Sequence, residues 1–387
     1  MAHKFELLER KPLADPARPG SDEFKDFGCT FRHDNPDTPD RMEPEIQMVR
    51  KFFGSGELIM PDGEKINFWG FEDPETDQRK PFPSATIRVP EGKIVHNTAK
   101  MGKNTHTIHH HGIEPTPHND GVGHTSFELT GDYTYQWRPR QSGTYFYHCH
   151  KNTPLHFQRG MKGFLIVDPP NPDGNAADPQ PPYLTAPGFV RRRNEIVRYD
   201  REAFWVSNEI DARWHEMQHD AGLCGEDVGL NRFEPRHFLM TGVPSPNPDP
   251  DAASREPIRD ARVAINAGQG ETILIRCLNA GYTVTNLFFD EALKPFLEVI
   301  GADGRMFGYR LSPYSRPFQI QAEQSIAQAS AERVDFLIHP KALVERDGDL
   351  APAGAELPAG VYRVILWYRH WITGRVLGVA ETLITIG

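Results

Sequence analysis

Long apolar runs are missing from this 387-residue chain. A membrane-spanning helix needs about 20 consecutive apolar residues, so no membrane span is expected. A basic excess is missing as well. The formal charge is −10, which argues against nucleic acid as a partner. Cysteine is scarce, with only Cys29, Cys149, Cys224 and Cys277. Cys277 lies in an apolar, strand-like run and reads as a small buried hydrophobe. Cys29 and Cys224 could pair in an oxidising compartment, and sequence leaves that open. The first ten residues, Met1 to Arg10, carry no apolar signal core. As given, the chain is either cytoplasmic or an exported protein whose signal was removed.

Turn-forming residues are plentiful. Thirty-four prolines and 33 glycines suit an all-β chain of short strands and many turns. Length suggests two domains with extensions. Residues 1–45 are polar and without periodicity, and read as an N-terminal arm. Alternation begins at Ile46-Gln-Met-Val49, the pattern of a half-buried strand. Asp62-Gly63 is a hairpin turn signal. Ala85-Thr-Ile-Arg-Val89 and Gly143-Thr-Tyr-Phe-Tyr147 read as further strands, and Gly163-Phe-Leu-Ile-Val-Asp168 closes a first domain over 46–170. Asp168-Pro-Pro-Asn-Pro and Asp178-Pro-Gln-Pro-Pro182 mark a linker. Residues 171–260 form the linker and a bridging segment. Residues 261–387 form a second domain that repeats the first, since Gly360-Val-Tyr-Arg-Val parallels Gly143-Thr-Tyr-Phe-Tyr.

Histidine is concentrated where the chemistry should be. His106-Thr-Ile-His-His-His-Gly112 is followed by Tyr147-His-Cys-His150, His156 and Met161. Two histidines, one cysteine and a weak axial methionine are the ligand set of a blue-copper site. Successive strand side chains face opposite ways, so Cys149 points away from His148 and His150. In the upstream run His109 and His111 share one face and His106 has the opposite parity. His106, Cys149, His156 and Met161 can therefore close around one copper. His109, His111, His148 and His150 can converge on a second site behind it. His110 breaks parity with its neighbours and reads as structural.

This pattern, His-x-x-His-x-His-Gly with His-Cys-His-x5-His-x4-Met, resembles the copper signature of multicopper oxidases of the laccase-like type. Its place in the first half of the chain is similar to two-domain members whose blue copper lies in domain 1. The resemblance implies two cupredoxin-like Greek-key β-sandwiches, and copper as cofactor at a blue mononuclear site and at a second, histidine-ligated mono- or multinuclear site. It implies an enzyme that passes electrons from a small-molecule or small-protein donor to dioxygen, giving water. It makes Asp120, in Asp120-Gly121, a proton-relay candidate. It also implies a homotrimer and a periplasmic or secreted location.

One departure stands out. In the second copy the ligand positions read Val284-Thr-Asn-Leu-Phe-Phe289, Ile365 and Trp367. Only His370 lies nearby, so half of an oxygen-reducing cluster is missing or comes from His370, His215 or His219. Two alternatives follow: a nitrite-reductase-like enzyme with a simpler second site, or a blue-copper electron carrier. Nitrite reductases carry Asp where this chain has His109, which counts against the first. His215-Glu-Met-Gln-His219 fits a zinc-protease pattern, but its flanks allow only a short helix, and a structural role is the plainer reading.

Overall fold

A computed structural model describes residues 43–76, 79–113, 115, 117–123, 128–171, 187–309, 312 and 316–387. The arm up to residue 42, the linker at 172–186 and Cys29 lie outside the described residues.

The chain is all-β, and its strands form two sandwiches. In the first, one sheet has the order Lys65–Glu72, Ile46–Ile59, Val95–Lys100, Asp132–Trp137. The facing sheet has the order Ile87–Pro90, Lys162–Asp168, Gly143–His148, His109–His111. Two pairings are parallel and join strands distant in sequence, 46–51 with 95–100 and 87–90 with 165–168. Such pairings need long crossovers, which gives a Greek-key sandwich rather than a meander. The second sandwich packs a sheet built on Arg201–Ile210, Ile273–Asn279, Arg333–Ile338 and Leu297–Ala302 against one built on Val376–Ile386, Gly360–Arg369 and Val284–Phe289. The strand at 201–210 runs parallel to 273–279.

The strand Gly143–His148 is buried along its whole length, and the two cores explain why. Tyr145 and Tyr147 face inward with Trp69, Phe71, Trp137 and Leu165. Phe146 faces outward with Phe164 and Ile166 against Phe204, Val206 and Leu278 of the second sandwich. Each large side chain so buried contributes roughly 1.5–3 kcal/mol. With both faces covered, the parity of the strand is fixed. Cys149 continues the row of Tyr145 and Tyr147 into the first core. His148 continues the row of Phe146 toward the second sandwich.

A buried ion network ties the two sandwiches together. Arg88 donates to Asp168 at 2.6 and 2.8 Å and to Glu202 at 2.6 Å, and Arg276 donates to Glu202 at 2.6 Å. Burial pushes the Glu202 carboxyl up, but Arg88 and Arg276 more than offset this and hold it below 4.5. A lowered pKa means stabilisation that is present above about pH 4.5 and lost as pH falls through the folded value. Glu202→Gln should destabilise the protein by about 3–5 kcal/mol at pH 7, because it strands buried guanidinium charge. Denaturant unfolding should show that gap narrowing below pH 4.5; a constant gap would rule out the ionic origin.

Candidate metal centres

At the first cluster, Cys149 and His106 are brought together from segments 43 residues apart in the chain. His106 sits in an isolated bridge to Leu129. Cys149 follows the strand Gly143–His148, and His156 lies on the short helix Thr153–Gln158. Cys149 Sγ is 3.8 Å from His106 Nδ1 and 3.3 Å from His156 Nδ1. All three residues are fully buried. Met161, also buried, is held beside them because the Cys149 N–H donates to its carbonyl at 3.0 Å. His156 Nε2–H donates to the carbonyl of His219 at 3.0 Å. That bond leaves the lone pair on Nδ1, facing the sulfur.

Burial and neighbouring imidazoles push His106 down to about 2, and burial first of all pushes His156 down to about 3. Both rings are therefore neutral donors at neutral pH. Burial pushes the Cys149 thiol up to about 11, so without a cation nearby it stays protonated. A soft cation that makes it a thiolate removes this penalty. Two neutral imidazoles and a buried thiol, their ligand atoms all within 4.8 Å of one another, fit copper.

At the second cluster, His109 and His111 lie on the strand His109–His111, paired with the end of Gly143–His148. Ring centroids are 5.3 Å apart for His109 and His148, 5.4 Å for His109 and His150, and 5.5 Å for His109 and His111. Hydrogen bonds orient the rings. His109 Nδ1–H donates to the Asp120 carbonyl at 2.7 Å, and His148 Nδ1–H donates to the Cys149 carbonyl at 2.9 Å. Each leaves its Nε2 lone pair for a ligand role. His111 stacks on Phe146 at 4.4 Å. Burial, and then Arg333, holds His111 at about 3. Burial likewise holds His148 well below 6.5. The neutral His111 and His148 rings, with those of His109 and His150 beside them, fit a second copper site. His110 turns the other way, its Nε2 3.1 Å from Asn97 Nδ2.

Asp120 ends the helical turn Pro117–Asp120, with Oδ1 3.3 Å from His109 Nδ1. Gly121 follows at φ +70°, and a Cβ there would lie 2.0 Å from the carbonyl oxygen of Ile108. Only glycine allows this close approach, and so it sets the place of Asp120. His109, His111 and Asp120 line a cavity of about 710 Å³ whose far wall is Asp303, Arg305 and Arg333 of the second sandwich. Arg333 lies over the Phe146 ring at 5.4 Å. Spacing alone gave no role to these second-sandwich side chains.

His215, His219 and His370 do not join the second cluster. The short 3-10 helix Ala212–Glu216 ends before His219, so the two histidines of the zinc-protease pattern do not share a helix face. His215 Nδ1–H donates to the Asn67 carbonyl at 2.7 Å and pins the segment to the first sandwich. His370 Nδ1 accepts the N–H groups of Ile372 and Thr373 at 3.2 Å and lines a different cleft, with Trp367.

Fold and donor sets define a two-sandwich cupredoxin-type protein with sites suited to copper. Residues 77–172, which hold most of the first sandwich, match the multicopper oxidase family. The chain is 38% identical over 160 residues to laccase abr2 of Aspergillus fumigatus, covering 39% of this chain and 27% of that one. It is 33% identical over 117 residues to copper resistance protein A of Escherichia coli, covering 29% and 19%. It thus spans about a quarter or less of the length of these two relatives. The fold is similar to blue copper oxidase from Nitrosomonas europaea, with a TM-score of 0.55 and 19% identity over 88% of this chain and 86% of that one. No described helix is long and apolar enough to cross a membrane.

Proposed function

We propose that the protein is a copper-dependent, laccase-like oxidoreductase that takes electrons from a small reducing molecule or protein and reduces dioxygen to water. In this reading His106, Cys149, His156 and Met161 hold the blue copper. His109, His111, His148 and His150 hold the second copper site. Copper at these positions supplies one-electron redox chemistry. The observation that carries the reading is the link between the clusters: Cys149 and His148 are adjacent in sequence, and the His148 Nδ1–H bond to the Cys149 carbonyl at 2.9 Å adds a second contact between the same two residues.

The residues around the second cluster have separable tasks. Asp120 and Gly121 hold the His109 ring. Phe146 fixes the His111 ring. Asp120 also faces the cavity, where the reduction of dioxygen consumes protons, and it delivers them. Asp120→Asn should lower oxygen uptake by roughly 10²–10⁴-fold while leaving the visible band in place, because the backbone carbonyl that orients His109 remains. Oxygen uptake within twofold of wild type would remove Asp120 from the proton path.

We take residues 46–170 and 261–387 as the two domains, joined by 171–260, with the strand at 201–210 binding that bridge to the second domain. Because the described residues that face the cluster on 109–150 are Asp303, Arg305 and Arg333 rather than histidines, we propose a homotrimer. We place the protein in the periplasm or outside the cell. Copper analysis with an electron paramagnetic resonance spectrum, on material whose mass is measured in solution, tests this reading. The expected result is more than one copper per chain, a blue-type signal and a trimeric mass. A single copper per chain would leave an electron carrier, and a monomer with full oxygen uptake would refute the trimer. Nitrite consumption without oxygen uptake would reassign the acceptor.

A further inference from the structure

The outer side of the Cys149 pocket is closed by a segment that carries none of its proposed ligands. Residues 217–222 follow the 3-10 helix of the bridge and lie across the His106 and His156 rings. The His219 ring centroid is 4.5 Å from that of His156, 4.7 Å from that of His106 and 5.9 Å from that of Trp69. The segment is strapped down by residues of the loop that carries Cys149, His156 and Met161. The His219 carbonyl accepts from His156 Nε2 at 3.0 Å and from Asn152 Nδ2 at 3.2 Å, and Asn152 also donates to the Ala221 carbonyl at 3.0 Å. Arg159 holds the Met217 carbonyl at 3.1 Å and lies 3.9 Å over the Trp69 ring. Lys151 reaches Asp220 at 3.5 Å and Glu128 at 2.9 Å.

The effect on access is direct. His106 and His156 are fully buried. The Nε2 edge of His156, the outward edge of that ring, is spent on a backbone carbonyl. The His219 side chain keeps 18% of its surface exposed and Asp220 keeps 67%. His219 Nδ1–H donates to Asp220 Oδ1 at 2.8 Å, so the exposed carboxylate and the capping ring form one unit. A molecule arriving from solvent meets this unit and Glu128 before it can meet a ligand of the pocket. Two carboxylates against one Lys151 ammonium make that surface net negative.

We propose that His219 and Asp220 cap the blue-copper pocket and form the contact surface for the electron donor in place of His156, favouring cationic over anionic donors. This rests on the oxidoreductase reading, and its tests separate the two. The first test needs no copper. In metal-free protein with Cys29→Ser and Cys224→Ser, alkylation of Cys149 by iodoacetamide is followed by mass spectrometry. His219→Gly should speed it by about tenfold or more, since in the parent the reagent must wait for the capping segment to open locally. His219→Phe, which refills the space, should stay near the parent rate. An unchanged rate in His219→Gly would overturn the cap, whatever metal the pocket holds. The second test compares a cationic aromatic amine with an anionic iron–cyanide complex as donors to copper-loaded protein. Asp220→Lys should shift their kcat/KM ratio toward the anion by about tenfold or more through reversed steering, chiefly in KM, with the visible band intact. A ratio unmoved by charge reversal would place donor contact elsewhere. Loss of the band in the parent protein would instead count against the oxidoreductase reading and leave the alkylation result standing.

Discussion

Cys149→Ser should remove the intense visible absorption and the oxygen uptake together. The sulfur is the sole thiolate donor, beside two neutral imidazoles, 3.3 Å from His156 Nδ1 and 3.8 Å from His106 Nδ1. A serine hydroxyl fits the same volume but does not ionise under these conditions and has none of the polarizability that favours copper. Turnover should fall by roughly 10³-fold or more, about 4 kcal/mol of barrier. The substitution is nearly isosteric in a fully buried position, so circular dichroism of the metal-free variant should match the parent. A blue colour that survives would mean that the thiolate ligand has been misassigned.

The double substitution His148→Ala, His150→Ala should do the reverse: the visible band stays and oxygen uptake disappears. His148 faces away from Cys149, toward Phe157 at 5.5 Å and His109 at 5.3 Å. Removing its ring opens a cavity between the sandwiches and costs about 2–4 kcal/mol by analogy with other large-to-small changes. The Cys149 pocket lies on the opposite side of the strand and keeps its His106 and His156 rings. The persisting band thus reports a folded first sandwich, and the lost uptake is assigned to the second cluster. Oxygen uptake at the parent rate would end the two-site scheme.

How much of this was legible in the sequence depends on which physical rule reached each residue. Strand alternation reaches along a single strand. It separates Cys149 from His148 without any knowledge of neighbours, because the side-chain period is two. His148 and Cys149 do face different cores, one shared with the second sandwich and one internal to the first. The alternation that groups His150 with His148 assumes a strand running to 150, whereas the strand Gly143–His148 ends two residues earlier. The Asp120 carbonyl bond to His109 arises from a turn with Gly121 at positive φ, and an Asp-Gly pair marks such a turn locally.

Contacts between elements distant in the chain were out of reach. His219 meets His156 across 63 residues through a segment with no apolar period. His215 fits a zinc-protease spacing but reads as structural, and the partner that makes it so, the Asn67 carbonyl on its Nδ1, lies 148 residues away. Arg333 reaches the His111 side of the first sandwich only because the outer face of Gly143–His148 is covered by the second. Each of these depends on how two sheets dock, and docking leaves no periodic trace in a sequence.

The loop from Cys149 to Met161 has a consequence for how such a protein can change. Its two ends are clamped to each other by the Cys149 N–H bond to the Met161 carbonyl at 3.0 Å. Between them lie His156 and the short helix Thr153–Gln158, entered at Asn152 in a left-handed conformation. Three of the four proposed blue-site ligands therefore travel as one module with its own closure, and only His106 is supplied by the scaffold. The tint and redox poise of the centre can then drift by exchange of about a dozen residues within a frame that does not move.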